Sequence, residues 1–180
     1  MNWRLNSTET GLLIVDVQER LLPVIREPER LVKSIVSAVS IARLFALPIF
    51  LTEQVPAKLG ATARAVRDAL GEAGPVARVK SAFSSAPSFE PGELPATVLV
   101  VGIETHVCIR QTVFDLRERG HAVRLLADAV SSRAELDHRL ALDELREIAG
   151  ARISTVETVA WELMERAEGD RFRAMLALFK

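Results

Sequence analysis

Short apolar runs, each too brief for a helix and rich in Val, Ile or Leu, recur along this chain between longer segments with helical spacing. A strand that reads as almost uniformly apolar is one buried on both faces, which happens when helices cover both sides of a parallel sheet. The runs are Gly11–Val17, Pro48–Thr52, Val76–Val79, Thr97–Gly102, Ala122–Ala127 and Arg152–Val156. Between them Leu31, Ile35, Val39 and Ala42 repeat every three or four residues, as do Ile109, Thr112, Val113 and Leu116, marking helix faces that pack on the sheet. Further helices are predicted over Ala134–Ile148, ended by Gly150, and over Ala160–Ala167 and Arg171–Phe179. The pattern reads as βαβ units, with six strands for a doubly wound sheet.

A chain of 180 residues is the usual size of one domain, and residues 1–180 are read as one. With 49% apolar and 26% charged residues it has the balance of an ordinary globular protein. Lys plus Arg number 23 against 24 Asp plus Glu, so no net field draws in nucleic acid or an anionic membrane, and a small molecule becomes the expected partner. The stretch Met1–Thr10 lacks the pattern of a secretory signal and no apolar run reaches spanning length, so the expected compartment is the cytoplasm. The single cysteine excludes an internal disulfide and a cysteine metal cluster, and no histidine pair has metal-ligand spacing, so no metal and no cofactor are expected.

Three polar residues stand at the ends of three apolar runs. Asp16 follows Leu12–Val15, where a carboxylate at the rim of an apolar environment needs a cation to answer it. Lys80 follows Val76–Val79 in the same way, and Cys108 follows Thr97–Val101 after a short turn containing Gly102. In open parallel sheets the carboxyl ends of the strands share one edge, and ligands bind there where the strand order reverses. The three side chains can therefore converge. A cysteine opening the helix that runs through Leu116 would face backbone amides and the positive end of the helix dipole, favouring thiolate over thiol, with Lys80 adding to that. The division of labour follows from charge. Asp16 accepts the thiol proton, Lys80 holds Asp16 and the sulfur, and backbone amides in the turn before Cys108 receive an oxyanion.

Each of these residues also has an ordinary reading: an inert buried thiol, a helix cap or strand-end ion pair, a solvated lysine. His106 is too close to Cys108 in sequence to face it readily, and His121 and His138 fall where solvated roles are ordinary. Ser84 and Ser85 lack a nucleophile-elbow motif and read as turn residues. The charges of Arg117–Arg119 and Asp143–Glu147 read as solvated helix faces. The irregular stretch Ser81–Pro95 is a surface loop or a lid.

The segments Leu-Leu-Ile-Val-Asp16-Val-Gln18, Val-Lys80-Ser-Ala-Phe83 and Val-Val-Gly102-Ile-Glu-Thr-His-Val-Cys108 resemble the isochorismatase-like cysteine hydrolases in content and order. Similarity in Thr-Glu-Gln54, in Ala-Asp128-Ala-Val-Ser-Ser and in Ile-Ser-Thr-Val156-Glu spreads the likeness over nearly the whole chain. The resemblance implies a three-layer α/β/α Rossmann-like fold with a six-stranded, mainly parallel sheet, a homo-oligomer, and an Asp16-Lys80-Cys108 triad. It also implies a cis peptide joining Ile103 to Glu104, which turns the amides of Glu104 and Cys108 toward an oxyanion. True isochorismatases of the family lack the cysteine, so Cys108 points instead to a thioester route on an amide-like group. Metal-binding nicotinamidases carry Asp and His ligands after the second strand, where this chain reads Leu51-Thr-Glu-Gln-Val-Pro56.

The expected activity is hydrolysis of a small amide or carbamoyl-type C–N bond through a Cys108 thioester. A non-catalytic interaction module on the same fold and a redox-sensing thiol protein are the alternatives. Gln18, Gln54 and Phe83, each beside a triad segment, are candidate substrate-binding residues. The apolar C-terminal segment with Trp161, Phe172, Met175, Leu176 and Phe179 serves either the core or a subunit contact.

Overall fold

The structure, a computed structural model, describes residues 4–179. Its strands are β1 (Thr10–Val15), β2 (Ile49–Gln54), β3 (Arg78–Lys80), β4 (Thr97–Ile103), β5 (Ala122–Ser131) and β6 (Arg152–Ser154). Its helices are α1 (Pro28–Leu44), α2 (Pro56–Leu59), α3 (Arg64–Leu70), α4 (Arg110–Glu118), α5 (Glu135–Glu147), α6 (Val156–Met164) and α7 (Gly169–Leu178). One sheet runs in the order β3-β2-β1-β4-β5-β6, and every neighbouring pair is parallel. The expected six-stranded, mainly parallel sheet is found, and it is parallel throughout.

Alternation along the central strands assigns their side chains to two layers. Leu12 and Ile14 of β1 and Leu99 and Val101 of β4 face a core built with α1, α3, α6 and α7. Leu13 and Val15, with Val98 and Val100, face the opposite core, built with α4, α5 and the segment carrying Ala86, Phe89 and Leu94. Because helices cover both faces, neither set of alternate positions can be polar, which is why these strands read as unbroken apolar runs. The C-terminal aromatic segment joins the first core. Met175 is fully buried, and Trp161 packs against Phe172 and Phe179 with ring centroids 5.9 and 6.0 Å apart.

The element ends depart from the sequence reading in ways that matter for the site. Val76 and Val79 are 90% and 65% exposed, so β3 is a short edge strand and not one buried on both faces. It consists of Arg78–Lys80 and pairs only with the end of β2, Gln54 lying opposite Lys80. The last predicted strand stops at Ser154, because Thr155 begins a helix. Its hydroxyl accepts from the Thr158 amide at 3.2 Å, and Asp128 accepts from the Val156 amide at 2.9 Å. Helix α6 accordingly starts at Val156, ahead of the predicted Ala160.

The stretch Ser81–Pro95 is anchored along its length. Ala86, Phe89 and Leu94 enter the core, and the Ser85 amide donates to Thr112 Oγ1 on α4 at 2.8 Å. Arg119 donates to the carbonyls of Ala86 and Phe89, at 2.6 and 3.1 Å, and Arg117 donates to those of Ala149 and His121. Two arginines read as solvated helix charges therefore tie loops to α4.

Candidate active site

Strand order reverses between β1 and β4, so the crevice beyond their carboxyl ends is where this architecture can hold a ligand. Val15 pairs with Thr52 on one side and Gly102 on the other, which brings the ends of β1, β2 and β4 level. Asp16 is the next residue. Its backbone is left-handed, φ +53°, a conformation that Asp tolerates better than most residues and that ends the strand. β3 stands two strand spacings from β1, roughly 10 Å, a gap that the long side chain of Lys80 can cross past the end of β2. Beyond β4 the Ile103–Glu104 peptide bond is cis, and Thr105–Ile109 form a π-helical turn before α4. Cys108 lies inside that turn.

These three side chains meet. Lys80 Nζ donates to Asp16 Oδ2 at 2.6 Å, and the Cys108 sulfur lies within hydrogen-bonding reach of the same carboxylate and of the Glu104 amide. None of the three is more than 7% exposed. Lys80 also donates to Gln54 Oε1 at 2.7 Å and to the carbonyls of Phe83 and Ala82 at 2.8 and 3.1 Å. With three N–H donors and four close acceptors, its ammonium is fully engaged by protein. It acts as a fixed charge.

Cys108 does not open α4, the condition on which a thiolate was expected, and its surroundings favour the thiol. Burial and then the Asp16 carboxylate push the Cys108 thiol up to about 12, against the opposing pull of Lys80. The position inside the turn, ahead of α4, removes the simple helix-terminus argument, and the nearby cation is paired to Asp16. Burial also raises the Asp16 carboxyl above its ordinary value, with Lys80, Cys108 and Thr52 acting in the other direction. Burial thus favours the thiol over the thiolate at Cys108, beside a carboxyl group that Lys80 contacts directly.

The candidate substrate residues have different positions. Gln18 is fully buried. Its amide donates to the carbonyls of Gln54 and Gly60, at 3.1 and 2.7 Å, and accepts from the Gln54 amide at 2.8 Å. Gln54 uses its oxygen on Lys80 and its nitrogen on the Ser81 carbonyl at 2.8 Å. Both amides are bound within the protein and brace the ends of β1, β2 and β3. The Phe83 ring, 53% exposed, stands outside the core on the segment whose carbonyl holds Lys80.

Several residues around these three side chains escaped the sequence reading. Thr52 Oγ1 donates to Asp16 Oδ1 at 2.9 Å and lies 3.0 Å from Ser85 Oγ, both hydroxyls being fully buried. Ser85 is thus not merely a turn residue. The turn bearing Cys108 and the residue before it are held at three consecutive positions, Glu104 to His106, by Ser132 and Arg133 ahead of α5 and by His138 within it. Arg133 binds the Glu104 carboxylate through its backbone N at 3.0 Å and Nε at 3.1 Å. Thr105 Oγ1 lies 2.9 Å from His138 Nδ1, and His106 Nδ1 lies 3.0 Å from Ser132 Oγ. His138 is therefore not a solvated helix residue, and its burial lowers its pKa. The one sequence signal for Thr52 was its place as a polar residue ending an apolar run, the same place that Asp16 occupies.

Residues 10–158 match the model of the Isochorismatase domain family. The chain is 34% identical over 180 residues to isochorismatase domain-containing protein 2 of Danio rerio, covering 97% of this chain and 89% of that protein. It is 32% identical to the secreted isochorismatase effector Isc1 of Phytophthora sojae, covering 98% and 87%. Among solved structures, MAR1 ribonuclease from Caenorhabditis elegans superposes with a TM-score of 0.89 at 32% identity, covering 97% and 91%. The Escherichia coli YcaC protein, described as an octameric hydrolase of unknown specificity, superposes at 0.87 with 25% identity, covering 99% and 90%. Sheet order, strand-end chemistry and these likenesses agree, and the chain belongs to the isochorismatase family.

Proposed function

We propose that this protein is a cysteine hydrolase that cleaves a small amide or carbamoyl-type C–N bond through a thioester on Cys108. The observation that carries the reading is the buried contact of one carboxylate with both the thiol and the ammonium. Because the thiol is held protonated, its deprotonation is coupled to attack. Asp16 takes the Sγ proton as sulfur adds to the substrate carbonyl carbon, and the carbonyl π electrons move to oxygen. The backbone amides of Glu104 and Cys108 hold that oxyanion. As it collapses, the C–N bond breaks and Asp16 passes its proton to the departing nitrogen, releasing ammonia or an amine. Water then adds to the thioester with Asp16 again as base, releasing the carboxylic or carbamic acid and restoring the thiol. Lys80 stays beside a carboxyl group that takes up and gives back a proton twice per turnover, once in forming the thioester and once in hydrolysing it.

The exposed Phe83 ring is the proposed cover for the substrate, while Gln18 and Gln54 act as braces behind it. A redox-sensing role is disfavoured by the same geometry, since peroxide reacts with thiolate and this thiol is held well above the ordinary cysteine range. Assembly into a homo-oligomer, as described for the Escherichia coli neighbour, is part of the reading and is measured by light scattering.

The test is a screen of small amides, carbamoyl compounds and imides for ammonia or amine release, followed by variants on each substrate found. Cys108→Ala should abolish turnover, and Asp16→Asn and Lys80→Met should each lower kcat/KM by at least about 1,000-fold, as expected for members acting as one unit. A mass increment on Cys108 matching the acyl group should appear in quenched reactions. Full activity in Cys108→Ala sinks the proposal.

A further inference from the structure

The charged end of Asp16 is supported from behind by a chain of hydroxyls that the hydrolytic scheme does not use. Thr52 Oγ1 is 2.9 Å from Asp16 Oδ1 and 3.0 Å from Ser85 Oγ. An ionised carboxylate only accepts hydrogen bonds, so Thr52 must direct its one hydroxyl proton at Asp16. Its oxygen is then left to accept, and Ser85 becomes the donor of the second bond. The direction of the chain, from Ser85 through Thr52 to Asp16, is thus set by the charge at its end.

Each link is held by a different part of the fold. Thr52 belongs to β2 and pairs with Val15, the residue before Asp16. Ser85 belongs to the packed segment after β3, and its amide donates to Thr112 Oγ1 on α4 at 2.8 Å. Thr52, Ser85 and Thr112 are all fully buried, and a pair of hydroxyls placed in a core without a charge to serve would be replaced with little loss by apolar groups. The other oxygen of Asp16 accepts from Lys80 at 2.6 Å. The two oxygens therefore have separate supports, one a fixed cation and the other a reversible dipole.

We infer that Thr52, oriented by Ser85, is a positioning residue that keeps Asp16 ionised until the Cys108 proton arrives. This rests on the reading of Asp16 as the base toward Cys108. When Asp16 is charged the hydroxyl chain points toward it. When Asp16 has taken the proton, that alignment no longer serves a negative charge, and the acid is left more ready to give its proton to the leaving nitrogen. The titratable groups that face Asp16 are Lys80 from β3 and Cys108 from the turn after β4. Thr52 is a further donor to Asp16, and one that does not titrate.

The experiment follows the Asp16 carboxyl carbon by NMR titration in the wild type, Thr52→Val, Thr52→Ser and Ser85→Ala, using Asp16→Asn to assign its signal. Iodoacetamide labelling of Cys108 is measured against pH in the same proteins. Thr52→Val should raise the Asp16 inflection by about one pH unit, the worth of one lost hydrogen bond to a charge. Thr52→Ser should leave it where the wild type has it, and Ser85→Ala should move it upward by less than Thr52→Val does. The low-pH limb of the labelling profile should move with it. An unmoved inflection in Thr52→Val overturns the inference. If that variant does not fold, an unmoved inflection in Ser85→Ala does so. A labelling profile unchanged by Asp16→Asn overturns the base reading instead, so the two failures are separable.

Discussion

A methyl group on Gly102 would lie 2.0 Å from the Val15 carbonyl oxygen, at a backbone φ of +125°. The clash is with backbone at the centre of the sheet, one residue short of Asp16, and no side-chain rotation relieves it. Gly102→Ala should therefore destabilise the fold by at least about 3 kcal/mol, combining a disfavoured conformation with overpacking. A loss below about 1 kcal/mol in urea unfolding would show that β1 and β4 part more easily than this close approach implies. The pair formed by Asp16 and Lys80 was legible at the same scale, because a carboxylate and an ammonium each ended an apolar run and neither is stable there alone. The protonation of Cys108 was not. It depends on how much water reaches the sulfur and on which partner Lys80 prefers, and both are distances between residues far apart in the chain.

At the level of elements, the turn Thr105–Ile109 carries Cys108, the proposed nucleophile, and its neighbours hold it through side chains from the start of α5 and the residues before it. Removing the Glu104 carboxylate leaves the Arg133 amide and guanidinium without that acceptor. Glu104→Ala should speed hydrogen exchange of the amides in this turn about tenfold, corresponding to about 1.4 kcal/mol of local stability. Exchange unchanged there, with the rest of the sheet protected as in the wild type, would mean that Thr105 and His106 hold the turn by themselves. Periodicity located α1, α4 and α5 because each presents an apolar stripe to the sheet. It misplaced the start of α6 because capping by Thr155 and Asp128 decided that boundary, and Asp128 lies on another strand. It misread β3 because an edge strand of three residues has no buried pattern to display, and the exposed Val76 and Val79 imitate a core run.

For the whole molecule, the raised thiol pKa has a consequence for alkaline stability. Above pH 9 an unfolded chain gives up its cysteine proton while the folded chain keeps it up to about 12. The folded state then binds more protons, so stability falls as pH rises through this window, by about 1 kcal/mol per pH unit. Cys108→Ala removes this contribution. Urea unfolding between pH 8 and pH 10.5 should therefore show a shallower decline in the variant than in the wild type, whatever its stability at neutral pH. Equal slopes would mean that the thiol titrates near its ordinary value. The sheet architecture was readable in advance because two-sided burial imposes apolar runs at a spacing that local sequence records. The three strand-end residues were readable because a polar group that ends such a run is chemically out of place. What the tertiary structure alone decided was the company these residues keep. Burial favours the thiol at Cys108, Gln18 and Gln54 turn inward as braces, and Thr52 and Ser85 stand behind Asp16. Each of these outcomes depends on burial or on contacts between residues 26 to 92 positions apart in the chain. No local pattern of composition or spacing records which partner such a group will meet, because that is set only when the strands take their order in the sheet.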